Sequence, residues 1–262
     1  MDAFTFGLFA DPQYGDKPMH INRFYRNAPD KLAACMELFK LANVEFTVCL
    51  GDLIDGENSP FLSEQACRRM QDIVEALERP CHYVLGNHDV NGVNRHRLMD
   101  LWGFPDQNGY YAFLHKGILC IVLDTNYDAD DEPYMPGKGV WDHSYVSRDQ
   151  LRWLKETLAA TAARTVLVFS HALLDAGEDP HIVRNASAVR DILERSGKRI
   201  AVFQGHRHSG CASVTNGIPY HTLKGMVDTE ATFFGLIVTV SDSGITAEVV
   251  SPMGRERISI LP

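Results

Sequence analysis

The segment Glu45–Leu50, EFTVCL, followed by Gly51-Asp52-Leu53-Ile54-Asp55, predicts the fold class of this chain. A short apolar run that stops at a glycine and a carboxylate is typical of a buried strand with a polar loop at its carboxyl end. In open α/β sheets, ligands bind in the loops beyond those strand ends. The segment therefore predicts an α/β protein with a functional site at the carboxyl edge of a sheet.

The same pattern occurs on both sides of this segment. Phe4–Ala10 predicts a first strand that ends at Asp11-Pro12-Gln13, and His82–Leu85 predicts a third strand that ends at Gly86-Asn87-His88-Asp89. Later strands end at Ser170-His171 and at Gly205-His206-Arg207-His208. Because polar motifs follow strand after strand, they are expected to meet at one edge of the fold.

The remaining segments alternate between strand and helix patterns. Further predicted strands are Tyr110–Leu114 and Ile118–Leu123 as a hairpin, Thr165–Phe169, Ile200–Phe203, Phe234–Val240 and Ile245–Val250. Predicted helices run from about Pro29 to Leu41 with Asn27 as cap, from Ser59-Pro60 to a stop at Pro80, from Ser147 to about Ala160, and from Ser187 to Arg195. The acidic stretch Asp128–Gly139 fits either a flap over the site or a surface loop. The alternation predicts a single α/β domain over 1–262, an α+β sandwich of two packed sheets flanked by helices.

Composition narrows the class of partner. With 262 residues, 45% hydrophobic and 23% charged, the chain is ordinary for a globular protein. Its net charge of -9 argues against a nucleic-acid polymer as partner. The six scattered cysteines fit reduced thiols. An acidic amino terminus and the lack of a long apolar run predict neither a signal peptide nor a membrane span, so a cytoplasmic location is expected, with the oligomeric state left open.

The residue types in the five motifs indicate phosphate chemistry. Hydrolysis of a phosphate ester or anhydride needs a nucleophilic water and charge compensation, and two metal ions about 3.5–4 Å apart supply both. The motifs contain the carboxylates, amides and imidazoles that such a metal pair requires.

In this order the motifs resemble the calcineurin-like metallophosphoesterase superfamily, which implies a four-layer αββα fold. Within it, Asp11-Pro12-Gln13-Tyr14-Gly15-Asp16, Arg23-Phe24-Tyr25-Arg26 and Gly51–Gly56 most resemble the manganese-dependent ADP-ribose/CDP-alcohol diphosphatase group. The resemblance implies a first metal held by Asp11, Gln13, Asp52 and His208, and a second held by Asp52, Asn87, His171 and His206. It also implies that His88 faces the substrate as a catalytic residue, either stabilising the transition state or protonating the leaving oxygen, and that Asp55 holds its ring.

Gln13 stands where the superfamily has histidine. An amide oxygen is a harder and weaker ligand than imidazole, so two divalent ions with Mn²⁺ favoured are expected, while Fe, Zn or Mg stay possible. The amide can instead leave room for water or substrate. Arg23, Arg26 and His96 are candidate substrate contacts, although structural ion pairs are as good an interpretation of the arginines.

Other side chains near the motifs are expected to be structural. Tyr14, Phe61 and Trp141 can stack on a base, but packing is the favoured interpretation. The histidines outside the motifs are interpreted as non-ligands: His20, His82, His96, His115, His143, His181 and His221.

The predicted function is a metal-dependent phosphohydrolase. It would cleave the phosphoanhydride of small nucleoside diphosphate derivatives such as ADP-ribose or CDP-alcohols, by in-line attack of a metal-bridging hydroxide. The alternative is a cyclic-nucleotide or other phosphodiesterase with the same metal pair. A nuclease is disfavoured by the acidic charge, and a catalytically inactive scaffold would have lost ligands or His88, which this sequence keeps.

Overall fold

Two six-stranded mixed sheets carry the fold in the computed structural model, which describes residues 3–261. Met1, Asp2 and Pro262, which belong to the predicted 1–262 domain, lie outside the described residues. The strands are β1 (Phe4–Phe9), β2 (Thr47–Cys49), β3 (Cys81–Tyr83), β4 (Tyr111–His115), β5 (Ile118–Val122), β6 (Thr165–Ser170), β7 (Arg199–Gln204), β8 (Cys211–Thr215), β9 (Ile218–Thr222), β10 (Gly235–Ser241), β11 (Gly244–Ser251) and β12 (Gly254–Leu261).

The strand order brings the carboxyl ends of the early strands together. The first sheet has the order β12-β11-β10-β1-β2-β3, and the second has the order β4-β5-β6-β7-β9-β8. β1, β2 and β3 are mutually parallel, and so are β5, β6, β7 and β9. The predicted hairpin is present as the antiparallel pair β4 and β5. Parallel neighbours end at the same edge, which is where the motif loops lie.

Six α-helices lie within the part of the chain that the structure describes. They are α1 (Ala28–Leu41), α2 (Pro60–Glu75), α3 (Asn87–Gly92), α4 (Arg95–Leu101), α5 (Arg148–Ala160) and α6 (Ala186–Arg195), with 3₁₀ turns at Tyr25–Asn27 and Met226–Asp228. The hydroxyls of Ser59 and Ser147 accept from backbone amides in the first turns of α2 and α5. Asn27 occupies the cap position before α1, as predicted, but its side chain makes no capping hydrogen bond, because Asn27 Nδ2 donates to the Glu230 carbonyl.

Three apolar layers hold the elements together. Phe6 of the first sheet packs against Phe169 and Phe203 of the second, with ring centroids 6.0 and 6.3 Å apart, and Phe46, just before β2, stacks on Phe6. A second layer joins the outer face of the first sheet to α1 and α2, and a third joins the second sheet to α5 and α6. Each fully buried aromatic side chain contributes about 1.5–3 kcal/mol. The four-layer αββα prediction is therefore confirmed.

Five elements were not predicted from the sequence: α3, α4, β8, β9 and β12. The exposed, charged start of β12, Gly254–Arg257, gives little apolar alternation, and β8 alternates between half-buried and exposed positions. α3 begins inside the Gly86–Asp89 motif. No helix among residues 3–261 combines the length and apolar character needed to cross a bilayer.

Candidate active site

Loops at the carboxyl ends of five strands supply the predicted ligand side chains. Asp11 and Gln13 follow β1, Asp52 follows β2, Asn87 begins α3 after β3, His171 follows β6, and His206 and His208 follow β7. All seven side chains are buried or nearly so. The structure thus brings residues from both sheets to one place.

The turns after these strands use an uncommon backbone conformation. Asp11, Gln13, Asp52 and His206 have positive φ angles of 52°, 45°, 53° and 66°. Left-handed backbone at a residue other than glycine costs of the order of 1–3 kcal/mol and is found mainly where function requires it. Four predicted ligand positions share this strained turn geometry, which directs their side chains into the site.

Asp52 lies at the centre of the cluster. Gln13 Nε2 donates to Asp52 Oδ2 at 3.0 Å, and His171 Nε2 lies 3.4 Å from the same oxygen. Asp52, His171 and His206 each offer one ligand atom within 4.8 Å of the others. Asp52 therefore contacts a predicted ligand of the first metal, Gln13, and one of the second, His171. These two ligand groups are called the first and second halves of the site.

The first half is closed by Asp11 and His208. His208 Nε2 lies 3.5 Å from Asp11 Oδ1 and 3.3 Å from Gln13 Nε2. The second half is closed by Asn87, whose Oδ1 lies 3.0 Å from His171 Nε2. Every predicted ligand therefore has a neighbour from the same set.

The three imidazoles are oriented from behind by oxygen acceptors. His171 Nδ1 lies 2.8 Å from the Leu50 carbonyl, and His206 Nε2 lies 3.2 Å from the Trp141 carbonyl. His208 Nδ1 lies 2.8 Å from Asp228 Oδ1. Since these oxygens can only accept, the ring nitrogen that faces each of them carries a proton, which leaves the other ring nitrogen as the one that could hold a cation. Outer hydrogen bonds of this kind are usual behind metal-bound histidine.

Glycine allows the loops to approach this closely. A Cβ atom on Gly86 would lie 2.1 Å from the Asp52 amide nitrogen, and one on Gly225 would lie 2.6 Å from Cγ of His208. Neither position tolerates a side chain without moving a ligand loop.

Asp89 joins two ligand loops through its carboxylate. It accepts from the amides of Asp52, Ile54 and Gly86 at 2.8, 3.1 and 3.0 Å. Burial, together with the Asp52 charge, raises its pKa to about 7. The sequence predicts no role for Asp89, and the structure shows that its carboxylate fixes the loops carrying Asp52 and Asn87.

His88 lies beside the cluster and pairs with Asp55, as predicted. Its Nδ1 is 3.0 Å from Asp55 Oδ1, and its backbone amide donates to Asp52 Oδ1 at 2.9 Å. Lys17 also forms an ion pair with Asp55, and Arg23 Nη1 lies 3.9 Å from it. The Asp55 carboxylate is thus shared between His88 and two cations.

The other two candidate substrate contacts lie further out. Arg26 forms an exposed ion pair with Asp16 at 2.7 Å, which is the structural interpretation left open by the sequence. His96 is exposed on α4, and within residues 3–261 no hydrogen bond or ion pair links it to the ligand cluster. Of the three candidates, only Arg23 contacts a residue of the site.

The pKa values of the four histidines at the site shift in different directions. Burial opposes protonation of His171 and His208, yet Asp52 raises the pKa of His171 to about 9, and Asp11 with Asp228 raises that of His208 to about 10. Burial and the neighbouring His171 hold the pKa of His206 well below its ordinary range. Burial would lower the pKa of His88, but Asp52 and Asp55 raise it to about 8.

The donor set fits divalent cations. Gln13 Oε1 is buried without a hydrogen-bond partner among residues 3–261, and turning the amide over would exchange it with Nε2 and present this oxygen to a cation beside Asp52 and His208. Two carboxylates, two amides and three imidazoles face one another, and this mixture of oxygen and nitrogen donors suits Mn²⁺, Fe or Zn.

The family follows from comparison of the sequence with known families. The profile of the calcineurin-like phosphoesterases matches residues 4–210, which include every predicted ligand. This chain belongs to the calcineurin-like phosphoesterase family. It is a metal-dependent hydrolase of phosphoric esters or anhydrides, as the sequence predicted.

Individual relatives agree with this family. A rice (Oryza sativa subsp. japonica) protein named manganese-dependent ADP-ribose/CDP-alcohol diphosphatase is 26% identical over 86% of this chain and 84% of its own length. A Haemophilus influenzae protein named 3′,5′-cyclic adenosine monophosphate phosphodiesterase CpdA is 27% identical over 73% of this chain and 65% of its own length. The fold resembles that of a dimetal phosphatase from Danio rerio, with a TM-score of 0.82, 23% identity and 98% coverage of each chain.

Proposed function

We propose that this calcineurin-like phosphoesterase holds two divalent metal ions, with Mn²⁺ favoured, and hydrolyses the phosphoanhydride of small nucleoside diphosphate derivatives such as ADP-ribose or CDP-alcohols. The observation that carries the metal assignment is the contact of Asp52 Oδ2 with both Gln13 and His171. A carboxylate that faces both halves of a donor cluster is suited to bridge two ions.

We assign the residues to the two ions in the grouping predicted from the sequence. Asp11, Gln13 and His208 would hold one ion, Asn87, His171 and His206 would hold the other, and Asp52 would bridge them. When bound, such a pair supplies a nucleophilic water at neutral pH and polarises phosphoryl oxygens. With two carboxylates in the set, the charge of two divalent ions exceeds that of their ligands, which favours an anionic substrate.

His88 is assigned to the leaving group. Because Nδ1 is directed to Asp55, Nε2 is left to donate a proton to the departing oxygen. The raised pKa of His88, about 8, keeps the ring protonated near neutral pH. Lys17 and Arg23 add positive charge beside Asp55, the partner of His88.

The substrate class is supported by relatives and by Gln13. Rice and Danio rerio proteins with the diphosphatase name are 26% and 25% identical to this chain. The matches cover 86% and 87% of this chain. A second candidate is hydrolysis of a cyclic nucleotide, which the likeness to the Haemophilus influenzae phosphodiesterase favours.

One comparison of substrates separates these candidates. The purified protein with Mn²⁺ is assayed on ADP-ribose, CDP-choline, 2′,3′-cyclic AMP and 3′,5′-cyclic AMP, with a metal-stripped sample as control. We expect higher kcat/KM for the diphosphates. A preference of tenfold or more for a cyclic nucleotide, equivalent to about 1.4 kcal/mol, would replace the first candidate with the second.

A further inference from the structure

Trp141 presents a large apolar face to solvent although its backbone is firmly held. Its side chain is 46% exposed. Its carbonyl accepts from His206 Nε2 at 3.2 Å, and the Gly139 amide before it donates to Asn91 Oδ1 at 3.0 Å. On the other side, the Asp142 carbonyl accepts from Arg184 Nε at 2.9 Å. The backbone on both sides of Trp141 is therefore held by hydrogen bonds, and the indole is exposed on a well-anchored segment.

His181 stands against the indole and against the cluster. Its ring centroid lies 5.1 Å from that of Trp141 and 5.0 Å from that of His206. Asp179 Oδ1 lies 2.6 Å from His181 Nδ1, and Arg207 Nε lies 3.4 Å from Asp179 Oδ2. The ring of His181 is therefore fixed from behind, as the imidazoles of the cluster are.

Both rings keep a nitrogen available to a ligand. Among residues 3–261, neither Trp141 Nε1 nor His181 Nε2 has a hydrogen-bond partner. The planes of the two rings are inclined at 45° to each other. Together they form a concave surface with apolar ring faces and two polar atoms, Trp141 Nε1 and His181 Nε2. Trp141 and His206 centroids are 6.0 Å apart, which places this surface directly beside the proposed second metal position.

We propose that Trp141 and His181 form a platform that binds the heteroaromatic base of the substrate. The inference rests on the proposed function in taking the substrate to be a nucleotide. An exposed indole stacks on any base, and a polar ring edge beside it accepts or donates to the base's nitrogens and oxygens. Lys17 and Arg23 pair with Asp55, the partner of His88, whereas this aromatic pair borders His206, so the site offers separate surroundings for phosphate and base.

Product binding tests the platform without requiring turnover. AMP, CMP and ribose 5-phosphate are titrated against the Mn²⁺-loaded protein, with tryptophan fluorescence and competitive inhibition as readouts. The chain has three tryptophans, of which Trp102 is buried at 7% exposure and Trp153 packs on Tyr110. We expect AMP and CMP to quench fluorescence and ribose 5-phosphate to leave it unchanged, with Trp141→Phe removing the quench and Trp153→Phe retaining it.

Substitution then measures the contribution of each ring. Trp141→Ala is expected to weaken AMP binding about five- to hundredfold, the range of one base stacked on an aromatic side chain. His181→Ala is expected to weaken it less, and both variants should bind ribose 5-phosphate within twofold of the unsubstituted protein. Equal weakening of AMP and ribose 5-phosphate, or unchanged AMP binding in Trp141→Ala, would overturn the platform.

The two proposals fail in different ways. If AMP quenches Trp141 but no diphosphate derivative is hydrolysed, the platform stands and the assigned reaction is wrong. If diphosphates are hydrolysed and Trp141→Ala binds AMP normally, the reaction stands and the platform is wrong.

Discussion

Gln13 Nε2 lies 3.0 Å from Asp52 Oδ2, while Gln13 Oε1 is buried with no hydrogen-bond partner among residues 3–261. The amide is thus satisfied on one side only, at the carboxylate proposed to bridge two metals. A buried carbonyl oxygen without a donor has a free-energy cost that a cation would offset.

Gln13→His is predicted to shift metal preference. An imidazole in place of the amide oxygen should raise the affinity of the first site for Zn or Fe relative to Mn²⁺, because softer metals prefer nitrogen. Metal content after dialysis against mixed ions, and activity titrations with each ion, measure the change. The exposed Gln65→His is the matched control. An unchanged preference would show that Gln13 does not determine metal choice.

His88→Ala is predicted to lose catalysis and keep its metals. Removal of a general acid typically lowers kcat by 10²–10⁴-fold, and His88 is outside the proposed ligand set. Steady-state kinetics and metal analysis are run together. His115→Ala, at the end of β4 and paired with the first residue of β5, should have unchanged kcat. Full activity in a metal-loaded His88→Ala protein would remove the assigned role.

Asp228→Ala is predicted to weaken metal binding. Asp228 accepts from His208 Nδ1 at 2.8 Å, and loss of such an outer partner typically lowers metal affinity 10–100-fold. Competition with a fluorescent chelator measures the affinity. Asp191→Ala, an exposed change on α6, should bind metal normally. Equal affinities in the two variants would contradict the role of Asp228.

Arg95→Met is predicted to destabilise the fold. Arg95 Nη2 pairs with Asp124, both side chains are buried, and a Cβ on Gly109 would lie 2.2 Å from that nitrogen. Leaving the Asp124 carboxylate buried without its partner should cost about 3–5 kcal/mol of unfolding free energy, measured in urea at pH 7. Arg97→Met, which removes an exposed pair with Glu64, should leave the urea midpoint nearly unchanged.

His82 is predicted to make stability depend on pH. Its ring stacks on Phe113 with centroids 3.6 Å apart, and burial, aided by His115, lowers its pKa to about 4. The unfolded chain binds a proton here below about pH 6.5, so between 6.5 and 4 acid favours unfolding. The loss should reach about 2 kcal/mol at pH 4 once partial exposure is allowed for.

His82→Phe should remove that part of the pH dependence. Urea unfolding of both proteins at pH 7, 5.5 and 4.5 gives the difference, from which other titrating groups cancel. Parallel stability curves for the two proteins would mean that His82 is protonated equally in the folded and unfolded chains.

Local sequence carries the main elements of this fold. Glu45–Leu50 and the similar runs before the other motifs are rich in apolar residues such as Val, Ile and Phe. This enrichment identifies them as buried strands. β12 was missed because its exposed Arg255 and Arg257 interrupt the pattern, and its pairing with β11 supplies the stabilisation that composition does not.

The surroundings of the site carry no comparable local signal. Asp228 is 20 residues from His208, and Trp141 is 65 residues from His206. Aspartate and tryptophan are common in loops. The residues that flank Asp228 and Trp141 do not indicate that these side chains lie beside His208 and His206. These contacts form only when the folded chain brings distant segments together.

The sequence by itself determined the fold class, the order of the strand-end motifs and the unusual Gln13, because each depends on residue type and short-range spacing. The tertiary structure decided how Asp52 contacts both halves of the cluster, which acceptors orient the three imidazoles, and that Trp141 and His181 stand beside His206. Those relationships depend on contacts between segments distant along the chain, and packing of the two sheets fixes them.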